Sequence, residues 1–407
     1  MKLVSFVTGL FLLFVLFNSA NAIKLAPPID GQIYFGANPG FADEDQVVAA
    51  ETNGQSKIKH LDTIAGKSAL WSYFSNNWIS DIAYPKANIQ AIIDKGKIPF
   101  VRLMPMGIPK DGVDRYSICR GKIQWGSFQL AKQSYIKNCQ KLDLKSLYTT
   151  NSVEYSLTNI AHSKVIEAQL RAWADQAKAH YHQTKTPLLI DFAVEMNGWW
   201  FPWGGAHQRA ADYKAAYRRI IQIFREQGVK HITWFFHADI SETPYADDNK
   251  GNPFKSAIFN PVRYYPGDDY IDWLGFSLYG LNDNTSGVGR WKRFSDIANA
   301  PSQYSKGKTQ FQHLASISNK PIAILEFAVT DGHMGDKGQK KAAWLVDAFN
   351  GIKSLKDANG KQRIKAISYW NESWENAEMR IDSSPAAQKM FHSLIVDPRF
   401  INQAIWH

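Results

Sequence analysis

Two glutamates stand where short apolar runs end, and core packing explains neither. Glu195 follows Leu188-Leu-Ile-Asp-Phe-Ala-Val and leads into Met-Asn-Gly-Trp-Trp-Phe-Pro-Trp-Gly-Gly205, while Glu326 closes Lys320-Pro-Ile-Ala-Ile-Leu. A carboxyl pair about 5 to 5.5 Å apart can open a glycosidic bond with retention, one group attacking the anomeric carbon while the other protonates the leaving oxygen. The same residue type serves both roles only in unlike surroundings: one Glu must keep its proton among apolar neighbours, and the other must be ionised. Sugar rings present apolar C–H faces, so aromatic side chains near such a pair would act as stacking surfaces. Among the 14 Trp and 17 Tyr, Trp71, Trp200, Tyr279 and Trp370 fall at or just after candidate strand ends. Arg102, on another candidate strand, is expected to orient one carboxylate, and His237 is either a sugar contact or a satisfied buried imidazole.

These residues need a frame that brings distant strand ends together. Eight short apolar runs read as strands: 32–37, 69–74, 98–104, 188–194, 231–236, 273–278, 322–325 and 364–370. Several are β-branched or aromatic on both alternating faces, as strands buried on both sides are. Helical periodicity separates them. Tyr213, Tyr217, Ile220, Ile221 and Phe224 form one stripe ending near Gly228; Leu345, Phe349 and Ile352 form another before Gly360; Ala387, Met390, Phe391 and Leu394 form a third before Pro398. Alternating strands and helices in this number predict an α/β fold, a (β/α)8 TIM barrel, with an open doubly wound sheet as the alternative. Glu195 and Glu326 would then end the fourth and seventh strands and lean into one cleft. Two connections, 107–162 and 238–269, are too long for ordinary loops and would wall that cleft.

The 407 residues are 45% hydrophobic and 21% charged, the balance of a folded globular protein. Lys2, an apolar run from Leu3 to Phe17 and Ala20-Asn-Ala22 read as an export signal, with cleavage expected after Ala22 and a mature chain that is secreted or periplasmic. Residues 23–407 are expected to form one catalytic domain. No second apolar run reaches the roughly 18 residues that span a bilayer. The 47 Lys and Arg against 37 Asp and Glu give a net charge of +10, but the basic residues are scattered, as on a solvated surface. No nucleic-acid module appears. Cys119 and Cys139, the two cysteines, are expected to pair, which would stabilise by about 3 kcal/mol. Neither zinc spacing nor a Gly-x-Ser-x-Gly elbow occurs, and the run 247–251 lacks the ligand pattern of a calcium loop. No cofactor or metal is called for, and a monomer acting on a polysaccharide or oligosaccharide is expected.

Val194-Glu195-Met-Asn-Gly-Trp-Trp-Phe-Pro-Trp-Gly resembles the acid/base signature of glycoside hydrolase family 26, secreted β-mannanases and related endoglycanases. His231-Ile-Thr-Trp-Phe-Phe-His237, Tyr264-Tyr-Pro-Gly-Asp-Asp-Tyr-Ile-Asp-Trp-Leu-Gly-Phe-Ser-Leu-Tyr279 and Pro321-Ile-Ala-Ile-Leu-Glu326 support it, with a weaker match at Tyr34-Phe-Gly-Ala-Asn38. The resemblance implies a retaining double displacement on the barrel, with Glu195 as acid/base and Glu326 as nucleophile. It further implies that Tyr279 aims the nucleophile and that Trp200 and Trp370 line the reacting sugar's subsite. Val194 stands where family mannanases carry His, so a hydrogen bond near that sugar would come from Asn197 or His237. Two rival readings accompany this one: a depolymerase of an acidic exopolysaccharide, and a glycan-binding barrel without turnover.

Overall fold

The computed structural model describes residues 22–41, 47–52, 54, 56–79, 81–106, 155–198, 200–205, 207–240, 256–280, 292–331, 336–374 and 377–407. Eight strands form a closed parallel barrel: β1 Ile33–Asn38, β2 Trp71–Asn77, β3 Ile98–Met104, β4 Leu188–Phe192, β5 Ile232–Asp239, β6 Trp273–Gly280, β7 Ile322–Val329 and β8 Ile364–Trp370. Each pairs with the next in sequence, and β1 also pairs with β8, which closes the ring. All eight runs picked from the sequence are strands, and those at β3 and β8 have the predicted bounds. The physical reason is visible in burial: β1, β3, β4, β5 and β7 are buried at every position, which only a sheet covered on both faces permits.

The helices supply that cover. In Ala210–Glu226, between β4 and β5, the stripe from Tyr213 to Phe224 is buried, and the Tyr213 and Tyr217 hydroxyls donate to the carbonyls of Phe192 and Phe235 at 3.1 and 2.6 Å. Helices Gln339–Ser354 and Pro385–Ile395 bury the other two predicted stripes, save for Met390 and Leu394, which are partly exposed. At the N-terminal end of the barrel, Leu25 bridges to Trp406, and the Trp273 indole donates to the Leu25 carbonyl at 2.9 Å. That end is therefore sealed, and the C-terminal end is left to form a site.

Trp71 corrects an expectation. It begins β2 instead of ending it, is fully buried, and packs against Phe100 with ring centroids 5.9 Å apart. A Cβ on Gly36 would fall 1.9 Å from its ring, so glycine at that point of β1 makes room for an indole in the barrel interior. Trp71 is core and offers no surface to a sugar. Of the two long connections, residues 107–154 and 241–255 lie outside the described residues, and with them lie Cys119, Cys139 and the acidic run 247–251. Among the described residues no helix is long and apolar enough to cross a membrane.

Candidate active site

The turn that carries Glu195 is built from its own motif. β4 stops at Phe192, and the chain then passes through left-handed backbone at Ala193 (φ 48°) and Glu195 (φ 52°). Such geometry costs about 1–3 kcal/mol at a residue with a Cβ and persists only where the surroundings enforce it. Here they do. The Glu195 amide donates to the His237 carbonyl at 2.8 Å, its carbonyl accepts from Gly198 at 2.8 Å, and Gly205 donates to Met196 at 2.8 Å. The buried Trp203 indole donates to the Val194 carbonyl at 2.7 Å. Gly198 lacks the Cβ that would sit 2.6 Å from the Trp200 ring, so the indole folds back and donates to Glu195 Oε2 at 2.5 Å.

Glu326 reaches the same cleft by a different device. On β7, Ile324 pairs with Phe276 but Glu326 pairs with Ser277, so Leu325 is an extra residue in the strand. The same irregularity faces β8, where Ile324 pairs with Ile367 and Phe327 with Tyr369. Leu325 already faces the barrel interior, against Gly275. Strict alternation would turn the next side chain outward; the bulge returns Glu326 to the inner face. There its Oε1 accepts from Arg102 Nη1 at 2.9 Å and its Oε2 from the Tyr279 hydroxyl at 2.5 Å. Arg102 is 3% exposed; its Nη2 donates to Ser75 at 2.9 Å and its guanidinium lies 4.6 Å from the Trp370 ring. It orients the carboxylate from beneath the cleft, so its place is that of an orienting group and not that of a direct substrate contact.

Two further expectations change. His237 is fully buried, with Nδ1 at 2.7 Å from Asp191 Oδ2 and Nε2 at 2.8 Å from the Ser277 hydroxyl. Tyr73 donates to the same Asp191 carboxylate. This polar layer supports the carboxyl pair from below, so His237 is a satisfied buried imidazole. Asn197 spends its amide on the backbone: it donates to the carbonyls of Asp239 and Phe259 at 2.8 and 3.1 Å and accepts from the Asp239 amide at 2.9 Å. It staples the Glu195 turn to the end of β5. Trp200 and Tyr279 each hydrogen-bond one of the two carboxyls, and the Trp370 ring lies 4.6 Å from the Arg102 guanidinium.

Oxygens of Glu195 and Glu326 lie within 4.8 Å of each other and of a His237 ring nitrogen. The electrostatics of the pair are unequal. Burial first, then the charges of Glu326 and Asp239, push the Glu195 carboxyl well above its ordinary value, against hydrogen bonds from Ser277 and Trp200 that pull it down. Burial and both carboxyls push the Tyr279 phenol up, so it donates as a neutral hydroxyl. The three clustered residues are close enough to share a cation, yet both His237 nitrogens and both Glu326 oxygens already have protein partners.

Sequence reasoning missed several members. Asp191 was signalled, since it interrupts the apolar run of β4, and an inward charge there needs partners. Tyr73, Ser75 and Ser277 carried no signal, because strand residues of their type are ordinary. Glu372, just beyond β8, has a carboxyl pushed up to about 7, chiefly by burial, with Arg102 opposing and Glu326 adding to the rise.

The family model for glycosyl hydrolase family 26 matches residues 121–374. The chain is 28% identical over 246 residues to endoglucanase H of Acetivibrio thermocellus, covering 60% of this chain and 23% of that protein. It is 21% identical over 289 residues to a β-1,3-xylanase of an Alcaligenes species, covering 65% and 54%. The chain thus spans between about a quarter and about half of the length of these curated relatives. Among solved structures, an endo-β-1,4-mannanase double mutant from Cellulomonas fimi superposes with a TM-score of 0.56 at 17% identity, covering 91% of this chain and 72% of that one. At that identity the likeness speaks for the fold.

Proposed function

Because the chain belongs to glycosyl hydrolase family 26, we propose that it is a retaining endo-β-glycanase in which Glu326 is the nucleophile and Glu195 the acid/base. Glu326 attacks the anomeric carbon while Glu195 passes its proton to the glycosidic oxygen, which leaves as an alcohol. The ester that forms removes the negative charge of Glu326, one of the causes holding the Glu195 carboxyl up. Glu195 then accepts a proton from water, whose oxygen attacks the same carbon and releases Glu326. Two inversions give net retention.

The observation that carries this reading is the carboxyl pair itself, within 4.8 Å. Inverting enzymes hold theirs about 6.5–9.5 Å apart to admit a water. Arg102 and Tyr279 keep the attacking oxygens aimed, one donor on each.

The substrate in this reading is a neutral β-linked polysaccharide, a β-mannan, β-xylan or β-glucan, as the names of the relatives propose. Among the described residues, Glu326, Asp239 and Glu372 line the cleft with carboxyls, and the guanidinium of Arg102 is already engaged. Uronate polymers would meet repulsion there, so the net positive charge of the whole chain does not favour an acidic exopolysaccharide. Both glutamates stand in working geometry, which argues against a barrel that only binds. Export through the first 22 residues and a Cys119–Cys139 bridge complete the proposal, to be tested by N-terminal sequencing of the exported product and by thiol titration under denaturing conditions.

Reducing-end release is measured for the wild type and Glu326→Ala on β-1,4-mannan, β-1,3-xylan, β-1,4-xylan, β-glucan and polyuronate. Release from a neutral polymer, abolished in the variant, is the expected result; activity confined to polyuronate, or retained in the variant, would overturn it.

A further inference from the structure

We propose that Glu372 and Asn38 form a hydroxyl clamp beside the nucleophile, a carboxyl acceptor and an amide donor that grip the sugar resting on Trp370 and set how tightly it is held. The proposal rests on the hydrolase reading above and gives a role to two residues to which that reading assigns none.

Asn38 ends β1 and is the register partner of Trp370 at the end of β8. Paired residues on neighbouring parallel strands share a face, and Gly36, two residues earlier on β1, meets Trp71 inside the barrel; Asn38 therefore faces inward with Trp370. On the other strand, Asn371 turns away, accepting from the Ile381 amide at 2.7 Å, so Glu372 turns back toward the mouth. There it meets Arg102 and Glu326, and the Trp370 indole hydrogen-bonds its carboxyl.

The two strand ends are locked together. The Asn371 amide donates to the Asn38 carbonyl at 3.0 Å, and Gly40, at φ 74°, runs so close that a Cβ would fall 2.1 Å from the Asn371 carbonyl oxygen. The Gly40 amide donates to Asn38 Oδ1 at 2.8 Å, which fixes the side-chain amide. Asn38 Nδ2 and Glu372 Oε2 are both buried and both lack a partner among the described residues.

An unpaired donor and an unpaired acceptor at one rim of a cleft are unfavourable in the empty protein. Sugar hydroxyls answer both, because each can accept from an amide and donate to a carboxylate. A ring lying on Trp370 presents such hydroxyls at its edge, while the Trp370–Glu372 hydrogen bond holds the platform itself.

Among the described residues the charged groups facing Glu372 are Arg102 from β3 and Glu326 from β7. Glu378 and Arg380, on the segment behind it, are paired with each other at 2.5 Å. With its carboxyl pushed up to about 7, Glu372 ionises as the pH rises through that value, and the ionised form accepts hydroxyl hydrogen bonds more strongly. The clamp thus makes affinity pH-dependent.

Steady-state kinetics of wild type, Glu372→Gln and Asn38→Asp on the hexasaccharides of β-1,4-mannan, β-1,3-xylan and β-1,4-glucan test the proposal. Asn38→Asp keeps the acceptor for Gly40 and removes the donor. The expected result is a KM raised about tenfold in Glu372→Gln and about threefold or more in Asn38→Asp, with a smaller change in kcat. The wild-type KM should fall as the pH rises through about 7, and that of Glu372→Gln should not. Losses confined to kcat, or an unchanged KM with the pH trend intact in the variant, would overturn the clamp while leaving the hydrolase reading standing. A wild type that neither cleaves nor binds any of the three would overturn both.

Discussion

The β4 turn and the β7 strand each deliver one glutamate to the same cleft, and they do so by opposite means. Glu195 sits on left-handed backbone, buried, with indole and hydroxyl donors. Glu326 sits in a bulged strand, with a guanidinium on one oxygen and a phenol on the other. The first environment penalises charge, and the second holds both carboxylate oxygens in fixed directions. Burial is common to both, so what separates acid from nucleophile is the kind of donor each strand brings within reach.

The largest expected effect comes from removing the β7 partner altogether. Glu326→Ala should lose about 10⁴-fold or more in kcat on any polymer the wild type cleaves, because no other group can form the ester; circular dichroism should show an intact barrel. Next is the donor that distinguishes β7. Arg102→Lys keeps a charge but loses the fork that spans Glu326 and Ser75, so kcat should fall about 10²-fold with little change in KM. An unchanged kcat would mean the guanidinium contributes only packing.

On the β4 side, Trp200→Phe removes a hydrogen bond that pulls the Glu195 carboxyl down. The alkaline limb of kcat/KM should therefore move to higher pH, with activity at the optimum lower by about tenfold. Movement to lower pH would show that the indole favours the protonated form. Glu195→Gln tests the burial penalty through stability. Well below the ordinary Glu range, folded and unfolded wild type are both protonated there and no penalty is felt. Above that range the unfolded chain ionises while the folded carboxyl, pushed up, holds its proton, so wild-type stability falls by about 1.4 kcal/mol per pH unit until the folded group titrates. The neutral variant escapes this loss. Its melting temperature should exceed the wild type's at pH 7 and match it at low pH.

The smallest effect on catalysis is expected at Trp71. Trp71→Phe should cost about 1–3 kcal/mol of stability and leave KM unchanged. A raised KM would restore it to the sugar-binding set.

Trp71 also shows where sequence reasoning stops. The barrel was legible because strands buried on both faces leave unbroken apolar runs, and the two glutamates because each breaks such a run at its end. The same runs do not reveal where a strand begins: Trp71, read as lying at the active end of the second strand, is in fact its first residue. Asn197 and His237 stand as candidate sugar contacts in the sequence because Val194 replaces the family's His, whereas here they satisfy backbone and carboxylate within the protein. The Leu325 bulge leaves no mark in residue types, yet it alone turns Glu326 inward. Glu372 and Asn38 depend on one another across the closure of the barrel, a pairing between the first and last strands that no local window contains.

The contrast between the two glutamates is tested by the anomeric configuration of the first product, followed by proton NMR during hydrolysis of the preferred hexasaccharide by the wild type. Initial release of the β-anomer, with the α-anomer appearing only by later mutarotation, is the predicted result. Initial release of the α-anomer would mean direct displacement by water and would contradict the assignment of Glu326 as nucleophile.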